Sequence, residues 1–153
     1  MNLFLKILGV IIVLILLMVV KMIVDNNKTP KTIGVNNGKL AVMPSSPNAV
    51  SSQATEKEKK VDPLEFKGNI DESKEAILEI IKSMGNVNII ENKEDYIYAV
   101  FTTEKMKYKD DVEFYFDKKS KLIHFRSASR VGYSDMGLNK QRYEDIKKAY
   151  TEN

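Results

Sequence analysis

Hydrophobic positions crowd the start of the chain and then settle into short periodic patterns. Ile7 to Val20 is an unbroken apolar stretch, and Leu3 to Val24 extends it, with Lys6 and Lys21 near its ends. Twenty-two helical residues rise roughly 33 Å, enough for about 30 Å of bilayer hydrocarbon, and both lysines can reach the interfaces. The run closes on Val20-Lys21-Met22-Ile23-Val24-Asp25, with no small residues to cleave at. Residues 1–24 therefore read as a transmembrane signal-anchor helix rather than a removed leader. Lys6 stands on one side of the run and Lys21, Lys28, Lys31 and Lys39 on the other, so counting positive charges does not favour an N-in arrangement. A short basic head ahead of an apolar run is nonetheless how secretory targeting begins. On that ground the N-terminus is placed inside and the remainder on the extracytoplasmic side of the cell membrane.

Beyond the anchor, residues 25–38 are rich in Asn, Thr, Lys and Gly and read as a flexible tether, with a reach on the order of 50 Å. Residues 39–52 carry two prolines and a turn at Ser46-Pro47-Asn48, as an extended segment lying on a domain would, and residues 53–61 read as a charged loop. Helical spacing of Ile77, Leu78, Ile81 and Met84, acids at Asp71 and Glu72, and a stop at Gly85 predict a helix over 71–84. Four strands follow, over 87–91, 96–103, 111–117 and 121–127. In the third, Val112, Phe114 and Phe116 alternate with Glu113, Tyr115 and Asp117; in the fourth, Ile123 and Phe125 alternate with Leu122, His124 and Arg126. A tight turn at Lys118–Lys121 pairs Phe116 with Ile123, Phe114 with Phe125, Tyr115 with His124 and Glu113 with Arg126. That register gathers the aromatics on one face, and a one-residue slip would scatter them. A last helix over 139–150 turns Tyr143, Ile146 and Tyr150 inward. The order predicts an α+β domain over 39–153, a four-stranded antiparallel sheet covered by two helices.

Charge and composition narrow the chemistry. Outside the leading 24 residues, 22 basic side chains face 21 acidic ones. Such a domain lacks the basic face that nucleic acid requires, and no nucleic-acid partner is expected. The chain has no cysteine and one histidine, His124. Disulfides, thiolate metal sites and cysteine nucleophiles are excluded, and neither metal nor cofactor is expected.

Three segments carry a family likeness: Lys39–Ser52 with its PSSPN run, the acid-rich strand Asp110–Asp117, and Arg126–Arg142 with its RSASRVGYSD run. Together they resemble the family catalogued as domain of unknown function 1499, over about residues 39–150. The resemblance implies a name and no activity. The family's usual pattern has a cysteine on either side of PSSPN; here those positions hold Met43 and Ala49. Any activity shared across that family would then not depend on thiol chemistry.

The arginines single out one region. Against 21 lysines there are three arginines, Arg126, Arg130 and Arg142, all within seventeen residues. A lysine-rich chain that uses arginine only there points to a need for the planar, five-donor fork. Lys140 and Arg142 also fall in the first turn of the last helix, where the dipole favours anions over cations. Arg126, Arg130, Tyr133, Ser134, Asp135, Lys140 and Arg142 are accordingly the candidate ligand site, for an anionic small molecule, a lipid headgroup or a protein partner. The competing reading is architectural, with Arg126 bridged to Glu113 across strands and Arg130 paired with Asp135 and packed on Tyr133. Gly132-Tyr133-Ser134-Asp135-Met136-Gly137 is one residue too long for a nucleophile elbow, and His124 precedes the serine rather than following it. Ser45, Ser46, Ser51 and Ser52 read as turn and cap formers, and Asp110-Asp111 lacks metal-ligand spacing. No catalytic residue is assigned, and the expectation is a binding or interaction module, with a structural role in the cell envelope as the alternative and an enzyme of unknown class as the least favoured reading.

Overall fold

A computed structural model describes residues 2–152 of the 153-residue chain. Helix α1 spans Leu3–Asn27, with the Asn2 side chain accepting from the backbone N–H of Phe4 at its start. It is long and apolar enough to cross a membrane, and among the described residues its apolar stretch is almost wholly exposed.

The rest is a sheet of six antiparallel strands with two helices on one face: β1 (Ala49–Ser51), β2 (Leu64–Glu65), α2 (Ile70–Ser83), β3 (Val87–Asn92), β4 (Tyr96–Thr102), β5 (Lys109–Asp117), β6 (Leu122–Ser129) and α3 (Leu138–Glu152). The strand order is β1-β6-β5-β4-β3, with β2 also paired to β6. The α+β class and the four long strands match the sequence reading. The strand count does not, because β1 and β2 also join the sheet along the outer edge of β6, through Ala49↔Ala128 and Leu64↔Ile123. Strands of three and two residues are too short to show alternation, so the prolines and charges around them dominated the pattern.

Local chemistry explains each helix end. The Asn69 side chain accepts from the N–H groups of Asp71 (2.9 Å) and Glu72 (3.0 Å), and Gly85, at φ 70°, ends α2 in a left-handed turn. The β5–β6 register is the one the alternation requires: Phe116↔Ile123, Tyr115↔His124, Phe114↔Phe125 and Glu113↔Arg126. Beneath α2 and α3 this face assembles one core from Ile77, Ile81, Phe114, Phe116, Phe125 and Tyr143, with Phe125 packed at 5.3 Å from both Phe114 and Tyr143.

The second face of the sheet is also covered, in part by the segment expected to be a flexible tether and in part by Leu40, from the segment expected to lie on the domain. Ile33 and Leu40 pack with Tyr96, Tyr98, Val100 and Tyr115, and the Gly34 N–H donates to the Glu113 carboxylate at 2.8 Å. The end of α1 is tied down as well. The Asn26 side chain donates to the Lys107 carbonyl (2.8 Å) and accepts from the Lys109 N–H (2.9 Å). Composition alone reads 25–38 as solvated chain because its contacts are backbone bonds and isolated apolar residues, which leave no periodic trace.

Because Phe114 is fully buried at the centre of the helix face, Phe114→Ala is expected to cost about 3–5 kcal/mol. Val42→Ala, at an exposed position, should stay within about 0.5 kcal/mol. Thermal unfolding of the full chain in lipid nanodiscs measures both.

Candidate functional site

Strand β5 carries carboxylates on both of its faces. Asp110 projects to the helix side; Asp111 and Glu113 project to the other, and all three are buried. A buried, unpaired carboxylate is strongly disfavoured, and each of these meets one of the three arginines. Arg126 Nη1 donates to Glu113 Oε2 at 3.0 Å, and Tyr96 Oη donates to Oε1 at 2.7 Å. Arg130 forks onto Asp111, with Nε at 3.0 Å from both oxygens and Nη2 at 2.7 Å from Oδ1. Tyr98 Oη donates to the same carboxylate at 2.5 Å and accepts from Arg130 Nη2 at 3.0 Å. Arg142, on α3, donates to Asp110 Oδ2 at 2.7 Å and lies over the Phe101 ring, 4.7 Å from its centroid.

These pairs set the local protonation states. Burial, followed by the charge and hydrogen bond of Glu113, drives the Tyr96 phenol far above its ordinary value. Burial and the bond to Asp111 push Tyr98 up to about 12. Burial works against the charge on Arg130, but the hydrogen bonds and charge of Asp111 outweigh it and raise the guanidinium pKa.

Around Arg142 the three family-like segments of the sequence meet. Asn139, fully buried, accepts from Arg142 Nη1 at 2.6 Å and from the Ser127 hydroxyl, and its amide donates to the Asn48 carbonyl at 2.9 Å. Ser129 donates to Asp110 at 2.6 Å, and Asn48 donates to the Gly132 carbonyl at 2.7 Å. PSSPN, the acidic strand and the arginine-containing run are thus one hydrogen-bonded unit.

That unit forms the floor of a cleft of about 800 Å³, within the roughly 300–1,000 Å³ usual for small-molecule sites. Asp110, Ser129 and Arg142 lie at its base. Its walls are mostly apolar: Met84 from the end of α2, Phe101 and Met106 from β4 and the β4–β5 loop, and Met136 and Leu138 from the β6–α3 loop and the start of α3. Of the seven residues singled out in the sequence, Ser134, Asp135 and Arg142 line this cleft. Arg126 and Arg130 are closed on Glu113 and Asp111, while Tyr133 and Lys140 are exposed outside it. Arg130 pairs with Asp111 and not with Asp135. Asp135 instead caps α3, accepting from the N–H groups of Asn139 (2.8 Å) and Gly137 (3.1 Å). The helix N-terminus proposed for an external anion therefore already holds a carboxylate of the chain itself. Periodicity missed the apolar walls because they come from one strand, two loops and two helix ends. The one trace was a pair of methionines, Met106 and Met136, in otherwise polar loops.

Ser52 and His124, 72 residues apart in sequence, come together, with Ser52 Oγ 3.2 Å from His124 Nδ1. The hydroxyl also accepts the Phe125 N–H at 2.9 Å, and the imidazole stacks on Tyr115. Both lie outside the cleft, so the pair fastens β6 to the segment after β1. Burial lowers the His124 pKa, opposed in part by Asp117.

Fold and site together define an antiparallel α+β domain with an apolar-walled, polar-floored cleft, carried behind an apolar N-terminal helix. The chain belongs to the family described as proteins of unknown function (DUF1499), whose model matches residues 39–149. No curated protein and no solved structure matches it significantly.

Two expectations follow. Arg142→Gln strands Asp110 in a buried position and should destabilise the protein by about 3–5 kcal/mol, as read by chemical denaturation. Asp110→Asn combined with Arg142→Gln should recover part of that loss. The second concerns pH. A histidine whose folded pKa lies below its unfolded value of about 6.5 leaves the unfolded state holding more protons just below that pH. Stability should fall as pH drops through about 6.5 toward the folded value, and His124→Gln should remove that part of the decline in a melting-temperature series.

Proposed function

We propose that this protein is a membrane-anchored binding module, displayed on the extracytoplasmic side, whose ligand occupies the cleft above Arg142. The observation that carries this reading is the cleft itself: apolar walls for the body of a ligand over a floor of fixed charge and hydroxyl groups. Binding is favoured over catalysis because, of the three carboxylates lining the cleft, Asp110 is engaged by Arg142 and Ser129 and Asp135 by the α3 backbone, while Glu104 stands on the exposed rim and accepts from the Asn86 amide. His124 is held by Ser52 and Tyr115 elsewhere. The ligand class that fits is an apolar molecule or segment bearing an acidic group, which Lys105 at the cleft wall complements. Anchoring is supported by the length of α1 and the exposure of its apolar stretch. A purely architectural role in the cell envelope is the second reading, favoured by the internal closure of all three arginines.

The seven methionines make a direct test. In full-length protein carrying ¹³C-methyl methionine in nanodiscs, hexanoate should shift the methyls of Met84, Met106 and Met136 while Met18 and Met22, in α1, report any effect on the bilayer. Hexanol should shift them less. Equal or absent shifts at the cleft methyls would favour the architectural reading. For sidedness, a cysteine at exposed Thr29 should react with an impermeant thiol reagent in intact cells; labelling only after lysis would place the domain inside.

A further inference from the structure

The lip of the cleft is unusual in a way its own packing does not explain. Met136 is 98% exposed and sits at φ 55°, a left-handed conformation that glycine or asparagine occupies at less cost. Met106, on the opposite lip, is 63% exposed. Neither side chain stabilises the core, and an unbranched, polarizable methionine is well suited to a variable apolar partner.

The position of this lip within the molecule says what that partner is. Met106 and Lys105 belong to the β4–β5 loop, and that loop is hydrogen bonded to Asn26 through the Lys107 carbonyl. Asn26 is two residues, or about 3 Å of helix rise, beyond Val24, the last apolar residue of α1. Lys109 Nζ donates to Asn27, and Arg130 Nη1 to the Asn26 carbonyl, so this edge of the domain is clamped to the helix end through β5 and the residue after β6 as well as through the loop. Where α1 leaves a bilayer, the cleft mouth therefore lies at the membrane surface. The charge there is positive: Lys28, Lys105, Lys107 and Lys109 surround the junction, against Asp25, which is paired with Lys21, and Glu104. A basic surface next to a span attracts anionic headgroups.

We propose that the cleft takes an anionic lipid from the adjoining leaflet. Its hydrocarbon chain passes between Met106 and Met136 onto Phe101 and Leu138, and its headgroup rests at Lys105 and Lys107. This rests on the reading of the cleft as a ligand site and names the ligand and its route of entry.

The test uses the full chain in nanodiscs doped with phosphatidylglycerol carrying a diazirine near the chain end, with a matching phosphatidylcholine as the comparison. After irradiation, peptide mass spectrometry should find adducts in residues 103–108 and 131–138 as well as in α1. Phosphatidylglycerol should label the loops at least about fivefold more than phosphatidylcholine, the factor expected for a single surface lysine. Met136→Asn, which suits the local φ, should keep or raise the melting temperature while lowering loop adducts about tenfold, with α1 adducts unchanged. Adducts confined to α1, equal loop labelling by the two lipids, or loop adducts indifferent to Met136→Asn would overturn the proposal. If hexanoate still moves the cleft methyls in that event, the cleft is a site for a water-borne ligand; if it does not, the binding reading falls too.

Discussion

Three carboxylates buried on one strand, and the three arginines that neutralise them, are the constraint around which the rest of this domain is arranged. Desolvating a carboxylate costs several kcal/mol, and only a close, well-oriented cation with further hydrogen bonds offsets it. β5 places Asp110 on one face and Asp111 and Glu113 on the other, so the compensation must come from both sides of the sheet at once. Arg142 brings α3 onto the first face. Arg126 and Arg130, with the phenols of Tyr96 and Tyr98, close the second. An arginine fork can serve several acceptors in one plane, which a lysine ammonium cannot, and this accounts for the restriction of arginine to these positions in a chain with 21 lysines.

The same pairs position everything that bears on function. Arg142 cannot reach Asp110 without seating the first turns of α3, and that seating draws the 131–138 loop over the end of β4 and creates the cleft. Asn139 relays the arrangement to PSSPN through the Asn48 carbonyl. On the opposite face, Glu113 also accepts from Gly34 and Arg130 also donates to Asn26, so the chain leaving α1 is laid against the sheet. The end of α1 is thereby coupled to the buried ion pairs of the sheet rather than left on a swinging linker.

Much of this was legible one element at a time. The helix-forming stripe of Ile77 and Ile81, the alternation of Phe114 and Phe116, and the pairing of Glu113 with Arg126 follow from periods of 3.6 and 2 and from a tight turn at Lys118–Lys121. The scarcity of arginine singles out the three residues that pair with the buried carboxylates of β5. It did not reveal the partners, because Asp110 and Asp111 are 32 and 19 residues from Arg142 and Arg130, and no periodicity links them. Proximity in sequence offers Asp135 to Arg130 in the architectural reading, whereas the N–H groups at the start of α3 take it in the fold.

What the sequence determined by itself was therefore what short-range pattern encodes: an apolar helix long enough for a bilayer, an α+β domain, the register of its central hairpin and membership of its core. The tertiary structure alone decided the Arg130–Asp111 and Arg142–Asp110 ion pairs, the packing of Ile33, Gly34 and Leu40 on the second face, the meeting of Ser52 with His124, and the cleft. The physical reason is common to all four. Each depends on which groups are brought together when a strand is desolvated on both faces, and that depends on the closure of the whole sheet. No stretch of a few residues contains it.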